Sequence, residues 1–268
     1  MSDKTIHITR WGASGPRVVM IHGSAQGSRL GGDHHFAAQA RLAERGWQVL
    51  LPDRPGHGRS PALGWPDDAE ADAQWVVELL EDGAHLVGHS FGGCVALAAA
   101  AKRPAAVRSL TVIEPAMHKI ATNDPRVRRF VLSVLVAMLF STSAARRAKR
   151  FMKLVGVPPE LRGPSEPEEL KRLGQGLARG RIPSKATLQN ELGEIKRAGI
   201  PLLVVTGGWN PAFEATADIV AETGGGRRAV IKSEHHFPQG VSDEFNQILA
   251  SFMEKSDANA RHPVNSSS

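Results

Sequence analysis

The chain is expected to fold as an α/β protein: a mostly parallel, doubly wound sheet with a helical insert. Three observations lead there. Short apolar runs without polar alternation recur along the sequence, as in strands buried on both faces of a parallel sheet. Helical patterns separate most of these runs, giving the alternation of right-handed βαβ units. Between residues 116 and 197 that alternation lapses, and only helical patterns are found.

Taken in order, residues 6–11 alternate and read as an edge strand. Residues 17–21, 47–52, 85–88, 110–113, 201–206 and 228–232 are the apolar runs, each followed by polar or glycine residues. Helical spacing occupies 36–45, 69–80, 91–102, 212–223 and 242–255, and within the insert 131–140, 144–154, 167–178 and 185–195. The expected organisation is a core from 1–115 and 198–255, a helical lid at 116–197, and a disordered polar tail at 256–268.

Composition narrows the function. At 268 residues and 41% hydrophobic content the chain can bury a sizeable core, which excludes disordered and collagen-like classes. Its net charge of +6 comes without an aromatic–basic repeat. The excess therefore reads as a solvated surface, and no nucleic-acid partner is expected. A single cysteine, Cys94, excludes a disulfide framework and a Cys-rich metal site, and it reads as a small core residue. No metal or other cofactor is expected; His34 and His35 lack a third ligand and read as solvated residues near a pocket mouth. The longest apolar run, 130–140, is far short of the ~20 residues that cross a bilayer. Residues 1–11 lack the apolar stretch of a secretory signal. A cytoplasmic protein without stable membrane insertion is expected.

Chemistry concentrates at Gly88-His89-Ser90-Phe91-Gly92, a G-x-S-x-G string between a buried strand and a small-residue helix. A serine on such a turn has a strained backbone, and flanking glycines relieve the crowding. The turn lifts its hydroxyl off the sheet edge to a helix N-terminus, where unpaired N–H groups favour an oxyanion. Three other segments follow strands: His22-Gly23-Ser24, the run from Asp53 to Ser60 (DRPGHGRS), and His236-Phe237-Pro238. With the Ser90 turn, and over about residues 5–255, these resemble the α/β-hydrolase family. The resemblance implies Ser90 as nucleophile and His236 as general base. It implies an oxyanion hole from the backbone N–H groups of Phe91 and Ser24. His236 is preferred to His235 because it directly precedes the Phe-Pro pair. His57, His89 and His118 fall near the site by topology.

The acid departs from the family pattern. After strand 201–206 the chain reads Gly207-Gly208-Trp209-Asn210-Pro211, with Asn210 where an Asp is expected. An amide cannot offset the charge of an imidazolium, and such a change costs a serine protease about 10⁴-fold in kcat. Glu114 is the candidate replacement. It ends strand 110–113, the sixth by the family's count, beside the strand carrying Ser90, and parallel strands end on one edge. The order Ser90, Glu114, His236 matches the fold's order of nucleophile, acid and base. Asp33 and Asp53 are poorer candidates, and Asp53 reads as a turn residue.

The apolar insert suggests a pocket for a small hydrophobic acyl substrate, with Met117, Met138, Phe140, Trp209 and Phe213 as lining residues. The expected reaction is hydrolysis of an ester, lactone or thioester through an acyl-enzyme. The same triad could serve carbon–carbon bond hydrolysis or a lyase reaction. Asn210 also motivates a pseudo-hydrolase that binds a ligand without turnover.

Overall fold

The computed structural model describes residues 6–23, 25–159 and 166–261. Seven strands form one sheet: β1 (Ile8–Trp11), β2 (Arg17–Ile21), β3 (Gln48–Pro52), β4 (Ala84–His89), β5 (Val107–Ile113), β6 (Leu202–Thr206) and β7 (Arg227–Val230). Their spatial order is β1-β3-β2-β4-β5-β6-β7. Only β1 pairs antiparallel, with β3; every other pairing is parallel. The order reverses around β2 and β4, and in such sheets ligands bind beyond the carboxyl ends of the strands there. The strand counted sixth by the family resemblance is β5 of this chain. β7 corrects the expectation of a strand buried on both faces: it is an edge strand, half-exposed, with Val230 at the surface.

Ten helices complete the described chain. α1 (Gly32–His35) and α2 (Arg41–Glu44) are single turns joined by a 3₁₀ segment, where one continuous helix is expected from the pattern. Phe36 and Leu42 anchor this stretch in the core, so packing holds it where hydrogen bonding is broken. α3 (Ala69–Leu79), α4 (Phe91–Lys102) and α9 (Pro211–Gly224) follow β3, β4 and β6. Residues 91–100 of α4 are all buried, as suits a helix that is apolar all round and sits at the molecular centre.

Between β5 and β6 come α5 (Pro125–Leu139), α6 (Ala144–Leu154), α7 (Pro167–Arg179) and α8 (Lys185–Arg197). α5 begins six residues before the apolar pattern, because Asp124 caps it and Pro125 occupies its first position. The expected lid at 116–197 is not uniform. Leu188, Leu192 and Ile195 of α8 join the main core beside α4 and α9, whereas α6 and α7 pack on each other in a separate small cluster.

α10 (Glu244–Arg261) lies on the other sheet face with Phe36, Trp47 and Val49. It corrects the expected disordered tail, since the helix continues through residue 261. The reason is an anchor at Asp257, whose Oδ1 lies 3.4 Å from Arg108 Nη1 and 3.4 Å from His85 Nε2. The remaining tail residues, 262–268, lie outside the described residues.

Candidate active site

Strand register brings the candidate residues to one edge. Ile21 pairs with Gly88, His89 with Ile113, and Ile113 with Val205. The residues just beyond these pairs, His22, Ser90, Glu114 and Thr206, therefore gather at the carboxyl ends of neighbouring strands, with Gly207 one residue further on.

Ser90 sits between β4 and α4 with φ 56° and ψ −121°, a region L-residues rarely occupy. The glycines of the motif are there for close approach. A Cβ on Gly88 would lie 2.4 Å from the Gly92 carbonyl oxygen, and one on Gly92 would lie 2.2 Å from that of Ile21. Phe91 opens α4, whose first N–H groups have no intrahelical acceptor. The expectation for Ser24 falls outside the described residues.

The preceding histidine loop is fixed by hydrogen bonds. The Arg54 backbone N–H donates to His22 Nε2 at 2.9 Å, so the other ring nitrogen, Nδ1, donates to the Gly23 carbonyl at 2.8 Å. Burial and the neighbouring His35, His57 and Arg54 hold His22 well below the usual histidine range, in the neutral form. Arg54 is itself buried between Asp67 and Asp72 and lies 4.6 Å over the Phe91 ring. Sequence reading missed this arginine; its signal was a cation inside an otherwise glycine- and proline-rich turn.

His236 is buried and lies in the same cleft as Ser90. Two backbone contacts hold it: its N–H donates to the Gly156 carbonyl at 3.0 Å, and its carbonyl accepts from His89 Nε2 at 2.8 Å. His89 also packs on the imidazole, ring centres 4.7 Å apart. His235 turns into its own loop, where its Nδ1 accepts from the Phe237 N–H at 3.1 Å.

Glu114 is fully buried, with φ 46°, a second strained backbone beside Ser90. Its Oε1 accepts the Gly207 N–H at 2.6 Å, and its Oε2 lies 3.6 Å from His236 Nδ1. That is an ion-pair separation, longer than a hydrogen bond. Such contacts commonly tighten only when substrate binds. Burial is the main cause that pushes Glu114 up to about 8, against the Gly207 N–H. Burial, His235 and His35 bring His236 down to about 3. Asn210 is otherwise occupied: its side chain caps α9, accepting the Ala212 N–H at 2.9 Å. Asp53 accepts the Gly32 and Arg59 N–H groups, both at 2.9 Å, and so organises its turn. Asp33 pairs with Arg59 at the surface.

The cleft encloses about 630 Å³, its open mouth included. Ser90, His35, His89 and His236 supply its polar floor; Leu30, Phe151, Met152, Val155, Leu173, Leu177 and Phe237 are among its apolar walls. Of the expected lining residues, none borders it. Met117 is buried in the main core, and Phe140 is 71% exposed. Met138 is half-buried on α5. Trp209 and Phe213 lie behind His236, at ring distances of 6.2 and 4.9 Å. His118 continues that cluster between Phe130 and Phe213. The walls come instead largely from α6 and α7. The spacing of Ala148, Phe151, Met152 and Val155 on one face of α6 was the sequence signal for this.

A family model for the α/β hydrolase fold matches residues 16–213. The chain belongs to the α/β-hydrolase family. Among relatives of this chain, lipase LipV of Mycobacterium tuberculosis is 38% identical over 151 residues, 54% of this chain and 54% of the lipase. The match thus spans about half of that protein. A pimeloyl-[acyl-carrier protein] methyl ester esterase of Neisseria meningitidis is 31% identical over 203 residues, covering 72% of this chain and 74% of the esterase. In three dimensions the fold resembles that of the N-acyl homoserine lactonase AidH, with a TM-score of 0.67 and 22% identity over 94% of this chain and 93% of that one. No helix among the described residues is long and apolar enough to cross a membrane.

Proposed function

We propose that the protein is a serine hydrolase that cleaves small hydrophobic carboxylic esters, lactones or thioesters through an acyl-enzyme. One observation carries the reading. A strained Ser90, a buried His236 and a buried Glu114 meet at one sheet edge, with Glu114 Oε2 at 3.6 Å from His236 Nδ1. The lipase and esterase among its relatives support the class of bond.

With Nδ1 turned to Glu114, His236 Nε2 is left to take the Ser90 proton. Ser90 Oγ attacks the acyl carbon, and the oxyanion forms between the Phe91 and Ser24 N–H groups. Collapse breaks the bond to the leaving alcohol or thiol, which receives the proton from His236. Water then enters by the same relay, regenerating Ser90 and releasing the acid. Glu114 holds the ring's orientation and stabilises the imidazolium. The insert acts as the lid, its α6 and α7 faces holding the acyl group. Asn210 does not weaken this reading, because the cap of α9 uses its side chain and the carboxylate is supplied by Glu114.

The test is turnover of p-nitrophenyl esters from acetate to dodecanoate by wild type and Ser90→Ala. Wild-type turnover with a loss of at least about 10³-fold in the variant is expected. Wild type no faster than Ser90→Ala on every ester would refute it.

A further inference from the structure

The hairpin of α5 and α6 has an outer surface that the hydrolytic site does not use. On α5 and at its C-terminal cap, Leu132, Leu135, Val136, Leu139 and Phe140 are 45–71% exposed. Their spacing of three, four, seven and eight residues puts them in one stripe along the helix. Lone exposed apolar residues are ordinary, but a contiguous row of five is an interaction surface. One turn earlier, the exposed Arg128 and Arg129 flank the same stripe. On α6, Arg146, Lys149, Arg150 and Lys153 repeat at three, four and seven residues and are all exposed. The two stripes join where Arg150 Nη1 donates to the Phe140 carbonyl at 3.2 Å. Residues 125–155 contain no Asp or Glu, so no acid within the hairpin neutralises these cations.

We propose that this face docks the protein, peripherally and reversibly, on an anionic phospholipid surface. A row of Leu, Val and Phe flanked by Lys and Arg is the chemistry of helices that lie in the headgroup region of a bilayer. A second copy fits poorly. A two-fold contact would bring the same patch against itself and set six cations against six. A folded acidic protein would satisfy the charge, but protein hot spots favour Trp, Tyr and Arg, with Leu and Val under-represented. The opposite face of α6 supplies Ala148, Phe151 and Met152 to the cleft, and its cap residue Val155 joins them. Docking therefore sets the acyl-binding wall directly above the lipid. The proposal uses no chemistry at Ser90 and stands or falls separately from the hydrolase reading.

The test is sedimentation of the full chain with phosphatidylcholine vesicles that contain about 30% phosphatidylglycerol. Binding is expected near 0.05 M salt, with release near 0.5 M, where the screening length is down to a few ångströms. Pure phosphatidylcholine should bind little. Each cation near such a surface is worth about a factor of five. Arg146→Glu/Lys149→Glu/Lys153→Glu should therefore weaken binding by about 100-fold or more. Leu135→Ser/Leu139→Ser should weaken it at least about tenfold. A thermal melt without vesicles should give both variants a Tm within a few degrees of wild type, which separates lost docking from lost folding. Absence of wild-type binding at low salt, or binding indifferent to both variants, overturns the proposal. So does a dimer dissociated by Leu135→Ser/Leu139→Ser without vesicle binding, or capture by polyglutamate without vesicle binding.

Discussion

Glu114→Gln is the sharpest probe of the proposed mechanism. The two side chains have the same shape, so the change removes the ability to ionise and little else. Glu114 Oε2 lies 3.6 Å from His236 Nδ1. At an effective dielectric constant of about 20, a carboxylate stabilises an imidazolium at that distance by about 4.6 kcal/mol, or between 10³- and 10⁴-fold in rate. Geometry adds a second effect of the same sign. The Gly207 N–H, 2.6 Å from Oε1, needs an oxygen, so the amide of Gln would turn its NH₂ toward His236. That NH₂ would make Nδ1 an acceptor, put the ring proton on Nε2 and leave nothing to receive the Ser90 proton. Above pH 8, where Glu114 is ionised, turnover of the best p-nitrophenyl ester is expected to slow by roughly 10³- to 10⁴-fold, about the cost of removing the carboxylate in a serine protease. Since burial holds Glu114 largely neutral at pH 7, with its pKa near 8, Tm at pH 7 should barely move. The wild-type rate should rise as pH passes upward through about 8, because the working form is the carboxylate, and Glu114→Gln should abolish that rise. Adding Asn210→Asp should not restore activity, because an Asp there would also cap the Ala212 N–H. A variant within tenfold of wild type, or rescue by Asn210→Asp, would show that the acid lies elsewhere.

Ser90→Gly should abolish turnover yet raise Tm, since glycine adopts φ 56° without the strain of about 1–3 kcal/mol that serine bears; an unchanged or lowered Tm in a thermal melt would count against stored strain. Acid should destabilise the fold. His57 is brought down to about 4 and His118 and His236 to about 3, mainly by burial, whereas unfolded histidine titrates near 6.5. Their neutral forms favour the native state above pH 6.5, and that contribution is lost as pH falls toward 3–4; a Tm flat between pH 7 and 4 would contradict it. Along the ester series, kcat/KM should grow by up to about fourfold per methylene, at about 0.8 kcal/mol each, until the cleft is full. Met152→Trp should move the optimum to a shorter chain, and an unmoved optimum would place the acyl group outside this cleft.

The contrast between what sequence revealed and what it hid has a physical basis. Buried parallel strands are continuous in sequence, so the apolar runs at β2 to β6 were readable directly. The neighbouring positions of Ser90 and Glu114 were readable for a related reason: each follows a strand, and strand ends in a parallel sheet share an edge whatever the rest of the chain does. Acyl-pocket walls obey no such local rule. Met138 and Phe140 lie on apolar helical turns as good as those of Phe151 and Met152, and periodicity says only that one face is greasy. Which face meets the cleft depends on how α5 and α6 cross, and the crossing is set by contacts distant in sequence. Arg147 Nη1 donates to the Gly174 carbonyl at 3.1 Å, and Gly174 admits the Ala144 backbone so closely that a Cβ there would lie 1.8 Å from its oxygen. This glycine draws α7 against α6 and turns Phe151 and Met152 inward. Arg147 Nε also donates to the Met138 carbonyl at 3.0 Å, which ties the end of α5 to the same arginine and leaves Leu132, Leu135 and Leu139 outside. A substitution at Gly174 should therefore disturb both surfaces together, whereas one on the outer face of either helix should disturb only its own.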